Sequence, residues 1–234
     1  MILSNRHRFV FVKTRKTAGT SVELALSAIC GPDDVITPVS RPDERLRAGR
    51  GPQNHLLPRA ERRWDWPLHL LVGRTNREVP GLTRFWPHMA AGRIRAAIGP
   101  ALFDRFEIVT VERNPWDREV SNYHWVHRNR KGPRPDFETY VLDERLNVAF
   151  RNFEAYSIDG RIVAGRVLRY ERLAEDFAAW MADLGIDPPP VLPHAKAGHR
   201  PDTNRPYRED HTDATRRAIA TRYAREIAAF GYEF

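Results

Sequence analysis

Cysteine and lysine are scarce in this chain, and each scarcity narrows what it can be. A single cysteine, Cys30, in 234 residues excludes an intramolecular disulfide framework and a cysteine-based zinc site. Long apolar runs are missing as well. None approaches the roughly 18 residues of a membrane-crossing helix, and the opening MILSNRHRFVFVK has too short an apolar stretch for a signal peptide. The expected compartment is therefore the cytoplasm, with no membrane span. Zinc-finger spacings, RNP aromatic motifs and basic heptads are absent, so the formal charge of +8 is not read as a nucleic-acid module. It fits anionic ligands such as a nucleotide bisphosphate or an acidic glycan. The length and the 41% hydrophobic content fit one domain spanning 1–234, with a loop-rich insertion at about 31–84.

The rarity of lysine makes its placement informative. Of 38 basic residues 34 are arginine, and the four lysines are Lys13, Lys16, Lys131 and Lys196. Two of them fall in Phe9 to Ser21, FVFVKTRKTAGTS. Phe9 to Val12 are β-formers too few for a helix, whereas Val22, Leu24, Ala25, Leu26, Ala28 and Ile29 continue with helical spacing. The loop between them, Lys13, Arg15, Lys16, Thr17, Ala18, Gly19, Thr20 and Ser21, lies at a helix N-terminus. There unpaired amides and the positive end of the helix dipole face an anion, and Lys16 adds a compact charge. A triphosphate-binding GxxxxGK[ST] loop sets its glycines before the lysine. Here Gly19 follows Lys16, so that reading fails.

A second constellation is Phe106 to Trp125, FEIVTVERNPWDREVSNYHW. Phe106, Ile108, Val109 and Val111 predict a central strand, after which Asn114 caps a helix whose first residue is Pro115. Asn114, Asp117 or Arg118, and Ser121 share one helical face, and Trp116, Val120, Tyr123 and His127 follow the core face. Arg113, at the strand end, is either an anion ligand or the partner of Asp117.

Further along, Phe85-Trp86-Pro87-His88 leads into helical spacing over Met89 to Ile98. Val167 to Tyr170 predicts a strand. RYERLAEDF then enters a helix carrying Leu173, Phe177, Trp180, Met181 and Leu184, and a last helix over about 213–230 ends at a Gly231 C-cap. Within 31–84, Trp64 and Trp66 flanked by Arg59, Arg62 and Arg63 form either a sugar-facing surface or the anchor of a long excursion. The proline-rich stretch 188–210 carries Lys196, Arg200, Arg205 and Arg208, and is read either as a basic loop closing over a nucleotide or as an exposed connector.

KTRKTAGTS resembles the 5′-phosphosulfate loop of PAPS-dependent sulfotransferases, in particular the carbohydrate enzymes related to heparan sulfate 2-O-sulfotransferases, where KTxKTGGTS is typical. Ala18 stands where that pattern has a glycine. RNPWDREVSNY resembles the same family's 3′-phosphate motif RNPYDRxVSxY, RYERL its RYEDL, and AAFGYEF its C-terminus. The resemblance implies a bacterial-like enzyme that uses PAPS as nucleotide donor, moves its sulfonyl group to a hydroxyl acceptor on a carbohydrate, and releases adenosine 3′,5′-bisphosphate. It implies that Arg113 and Ser121 hold the 3′-phosphate, that Lys16 stabilises the leaving phosphate, and that His88 serves as base, with His55 second. No metal is expected, because a cation and a helix N-terminus do for this donor what Mg²⁺ does for triphosphates. The fold expected is α/β and P-loop-like, with a mainly parallel central sheet flanked by helices and the ligand at the strand C-termini. An ATP-dependent phosphotransferase and a non-catalytic basic nucleotide- or glycan-binding protein remain the alternatives.

Overall fold

The computed structural model describes residues 1–62, 78–147, 150–195 and 205–234. Two apolar stretches at the start of the chain, Ile2–Ser4 (β1) and Phe9–Val12 (β2), pair antiparallel with Leu3 opposite Val10. Val35–Ile36 (β3) adds to the outer edge of β1, also antiparallel. On the other side β2 runs parallel to Glu107–Glu112 (β4), and β4 runs parallel to Arg166–Arg169 (β7), which follows a small separate hairpin of Ser157–Ile158 (β5) and Arg161–Ile162 (β6). The sheet order is β3-β1-β2-β4-β7.

This sheet is mixed, which corrects the expectation of a mainly parallel one. Strands followed by helices, β2, β4 and β7, do pair in parallel. The antiparallel half comes from β1 and β3, which are three and two residues long and carry no period for a sequence pattern to show. Because β3 belongs to the sheet, the supposed insertion at 31–84 begins inside the fold. Bridges between Ile36 and Gln53 and between Leu56 and Thr83 tie more of it down. Trp64, Trp66 and Arg63 lie outside the described residues. Arg62 donates from Nε to the Leu57 carbonyl at 2.7 Å.

β2 is apolar at every position because both of its faces are covered. Phe9 and Phe11 point to the layer formed by the helices Gly19–Leu26 (α1) and Leu173–Asp183 (α8), meeting Val22, Leu26, Phe177 and Trp180. Val10 and Val12 point the other way, to Met89, to Ile94 of the helix Ala91–Ile98 (α3), and to Phe153 and Tyr156. Each of these fully buried side chains stabilises the fold by roughly 1.5–3 kcal/mol. Between α1 and α3 lies the short Arg41–Glu44 (α2), and Pro100–Phe103 (α4) follows α3 directly.

After β4 comes Pro115–His127 (α5), capped as expected by Asn114, whose side-chain oxygen accepts the Trp116 amide at 3.1 Å. Its Trp116 packs with Tyr140 of Phe137–Leu142 (α6) and with Ile219 and Tyr223. Asn152–Ala155 (α7) precedes β5. The single C-terminal helix expected from sequence is two, Asp213–Arg222 (α9) and Ala224–Phe230 (α10). The break is at Tyr223, where the backbone leaves helical geometry and the hydroxyl donates to Glu119 at 2.6 Å. Gly231 ends α10 in the left-handed conformation at φ 61°. Among the described residues no helix is long and apolar enough to cross a membrane.

Candidate anion-binding site

β2 and β4 are parallel neighbours, and each passes directly into a helix, α1 and α5. Both helix N-termini therefore emerge at the same edge of the sheet, where their positive ends add. The loop from Lys13 to Ala18 bends sharply to reach α1. Lys16 and Ala18 take left-handed backbone at φ 61° and 60°. Ala18 is the N-cap, and its carbonyl accepts the amides of Ser21 and Val22, so the amides of Gly19 and Thr20 have no acceptor within the helix. Gly19 is closely approached: a Cβ there would lie 3.0 Å from Lys13 Cγ and 3.3 Å from the Thr14 carbonyl oxygen, tighter than most real contacts.

Four distant segments are fastened to this loop. His88 bonds through Nδ1 to the Lys13 carbonyl at 2.9 Å. Arg113 donates from Nη1 to the Lys16 carbonyl at 3.2 Å. Asn152 accepts the Arg15 amide at 2.9 Å and donates to the Arg15 carbonyl at 3.0 Å. The Ala195 amide donates to Ser21 Oγ at 3.3 Å. Thr14 closes the floor, its Oγ1 donating to the Val111 carbonyl of β4 and lying 2.8 Å from Thr17 Oγ1.

The residues singled out from sequence divide accordingly. Lys16, Arg113 and His88 meet at the loop. The Lys16 ammonium lies 4.5 Å from the centre of the Trp125 ring, one turn beyond the half-buried Ser121 on α5. Thr17, Thr20 and Ser21 are buried in the loop and the first turn. Arg15 is exposed at the rim with its guanidinium over the Phe150 ring at 5.2 Å. Lys13 points inward: only 3% exposed, it donates to Glu23 Oε2 at 2.5 Å, so its charge is spent inside the core rather than on a ligand. Lys196 and Arg200 lie outside the described residues. His55 sits buried elsewhere, its carbonyl accepting the amides of Arg84 and Phe85.

His88 has the electrostatics of a neutral base. A carbonyl can only accept, so Nδ1 must donate to Lys13 and the lone pair resides on Nε2. Burial, followed by the charges of Lys13 and Arg15, holds its pKa well below the usual histidine value. Its backbone is left-handed at φ 61°.

Arg113 takes one of the two roles that the sequence left open, as partner of Asp117, and also donates to the loop. Nε and Nη2 go to Asp117 at 2.8 and 2.7 Å, the plane stacks 3.8 Å from the Tyr170 ring centre, and Nη1 reaches the loop. Beneath it is a buried polar network. Glu112 accepts the Arg113 amide at 3.0 Å and Arg118 Nη1 at 2.6 Å on one oxygen, and the Tyr156 hydroxyl at 2.7 Å on the other. Arg118 is fully buried. Burial works against its charge, but Glu112, Tyr223, Glu226 and Glu119 outweigh it and raise its pKa.

No protein-family model matches the chain, and no solved structure matches it. It is 33% identical over 101 residues to an uncharacterized protein of Archaeoglobus fulgidus, a stretch that covers 42% of this chain and 83% of that protein. The two chains belong to one family. The relative is uncharacterized, so this kinship carries no chemistry, and the site's meaning rests on its geometry.

Sequence reasoning missed Asn152, Glu112 and Trp125. Only Trp125 left a usable signal, because its spacing of four from Ser121 places both on one side of α5. A cleft of about 590 Å³ is lined by Trp86, Met89, Thr83, Arg84 and Arg93, and His88 is not part of its lining. Arg93 stacks on Trp86 at 4.6 Å and pairs with Glu78.

Proposed function

We propose that this chain is a sulfotransferase that moves a sulfonyl group from PAPS to the hydroxyl of a carbohydrate, with a cytoplasmic location accompanying that reading. The observation that carries it is the contact of Arg113 with the Lys16 carbonyl, which brings the two phosphate motifs, 97 residues apart, onto one loop. A donor with phosphates at two separate positions needs two separate sets of cationic and amide donors at one place. Lys16 and the first turn of α1 are suited to the 5′-phosphosulfate, and Arg113 with Ser121 to the 3′-phosphate. In the transfer, an acceptor oxygen bonds to sulfur while the bond from sulfur to the bridging oxygen breaks and its electron pair passes to the phosphate. His88 Nε2 takes the acceptor proton, and Lys16 meets the charge growing on the leaving oxygen.

Thermal shift tests the donor reading. Adenosine 3′,5′-bisphosphate should stabilise the protein without Mg²⁺ and better than ADP, and Arg113→Ala should erase that preference. Lys16→Ala should cost about ten- to a hundredfold in affinity for both, as expected for a lost charge-assisted bond. Equal stabilisation by ADP and bisphosphate would overturn the assignment, and a requirement for Mg²⁺ with ATP would favour a phosphotransferase. Incubation with labelled PAPS and a glycan panel then separates an enzyme from a binding protein.

A further inference from the structure

The loop that carries Lys16 is held at its middle by one distant side chain. Asn152 accepts the Arg15 amide at 2.9 Å on Oδ1 and donates from Nδ2 to the Arg15 carbonyl at 3.0 Å. A backbone N–H needs an acceptor and a carbonyl needs a donor, so the two bonds fix which end of the Asn152 amide faces which group. Among the described residues Arg15 bonds to no other main-chain group, and this side chain takes the place of the backbone partner that a strand or helix would provide. The same segment also holds the Arg15 side chain, whose guanidinium lies 5.2 Å from the centre of the Phe150 ring. The anchor is itself fixed. Tyr156, fully buried, donates to Glu112 Oε2 at 2.7 Å, and Glu112 Oε1 accepts the Arg113 amide at 3.0 Å. The stretch from Phe150 to Tyr156 is therefore bonded to both turns, the one after β2 and the one after β4.

What this clamp achieves depends on the backbone beside it. Arg15 immediately precedes Lys16, whose left-handed φ of 61° is costly for a residue with a Cβ, and a loop without restraint would relax out of it. A loop already bent needs no ordering when an anion arrives, whereas ordering a single residue on binding costs about tenfold in affinity. Asn152 is 2% exposed and does not itself meet a ligand, which separates it from Lys16, Arg113 and His88. We infer that Asn152 is a positioning residue: its amide clamp on Arg15 fixes the loop before any anion is bound, and thereby sets how tightly that anion is held at Lys16. This rests on the loop being the anion site proposed above, and not on the anion belonging to PAPS.

Hydrogen exchange and calorimetry on the full chain test it with two variants. Asn152→Leu keeps the shape of the side chain and loses both bonds, and Asn152→Ala loses the volume as well. Without ligand, the amides of residues 14–20 should exchange about tenfold faster in both variants, and by a larger factor than those of β4, so that the change is local and not a general loss of stability. Inorganic sulfate should bind about tenfold more weakly to either variant, and so should ADP and adenosine 3′,5′-bisphosphate, with the preference between them unchanged. Unchanged exchange in the loop, exchange that rises as much in β4, or affinities equal to wild type would overturn the inference. Failure of wild type to bind sulfate, or of both variants to fold, would overturn it as well. If sulfate behaves as expected and neither nucleotide binds wild type, the donor reading fails alone and the role of Asn152 stands.

Discussion

Arg113 places Nε and Nη2 on a single oxygen of Asp117, at 2.8 and 2.7 Å, and still reaches the Lys16 carbonyl with Nη1. Asp117 thus aims the guanidinium while competing electrostatically with any phosphate brought to it. Asp117→Asn keeps an oxygen for the guanidinium and removes the charge. Affinity for adenosine 3′,5′-bisphosphate should rise about three- to tenfold, equivalent to about 0.7–1.4 kcal/mol. Calorimetry at low salt reads this, and a fall in affinity would mean that aiming outweighs competition.

Ala18 and Gly19 should respond with opposite signs. Ala18 holds left-handed backbone that costs a residue with a Cβ energy, so Ala18→Gly should stabilise the fold by about 0.5–1 kcal/mol despite the added freedom of the unfolded chain. Gly19→Ala pushes a Cβ against Lys13 Cγ and the Thr14 carbonyl, and should destabilise. Urea unfolding of both variants checks the pair, and a destabilised Ala18→Gly protein would refute the strain at that position.

Glu23 links stability to acid. Burial opposes its ionisation, yet Lys13 and the Met1 ammonium beside it prevail and hold its pKa at about 2, below the ordinary 4.5. The folded value is depressed, so this stabilisation is complete above about pH 4.5 and is lost as pH falls toward 2. Glu23→Gln leaves the buried Lys13 ammonium without a counter-charge, while the Met1 amine, whose pKa burial lowers to about 6, is largely neutral at pH 7; the variant should cost about 3–5 kcal/mol there. Denaturation curves at pH 7 and pH 3 should show the gap between variant and wild type narrowing in acid. A gap independent of pH would place the cost in packing instead.

His88 acts in a different pH window. Its folded pKa is depressed, so below about pH 6.5 the unfolded chain takes a proton that the folded chain refuses, and stability falls on acidification. The slope contributed by one such group is at most roughly 1.4 kcal/mol per pH unit. His88→Gln should flatten the wild-type decline between pH 7.5 and 5.5 and, on the proposed mechanism, abolish most transfer while sparing bisphosphate binding. An unchanged slope would mean that His88 titrates normally.

The parts of this architecture that sequence revealed are those encoded locally. Phe9–Val12, the polar loop and the α1 pattern are contiguous, and Asn114-Pro115 marks the α5 start by the cap itself. The elements that stayed hidden depend on partners far along the chain. Arg118 resembles an exposed helical arginine until Glu112 and Glu226, 6 and 108 residues away, enclose it. Asn152 grips Arg15 across 137 residues, and nothing in its neighbourhood announces that. Lys13 and Lys16 look equivalent in KTRK, and only the fold turns one toward Glu23 and the other toward Trp125.

The parallel ladder between β2 and β4 also determines how the site can come into being. Thr14 and Val111 are 97 residues apart, and closing a loop of that length costs about 4 kcal/mol of chain entropy before any contact is made. Neither turn is therefore complete by itself: a nascent chain that has not yet delivered β4 holds a loop without its floor. The same logarithm makes length cheap once the ladder exists, since doubling the intervening chain adds only about 0.6 kcal/mol. The intervening segments can lengthen or shorten at little thermodynamic cost, while the geometry of Lys16 and Arg113 is pinned by the strands beneath them.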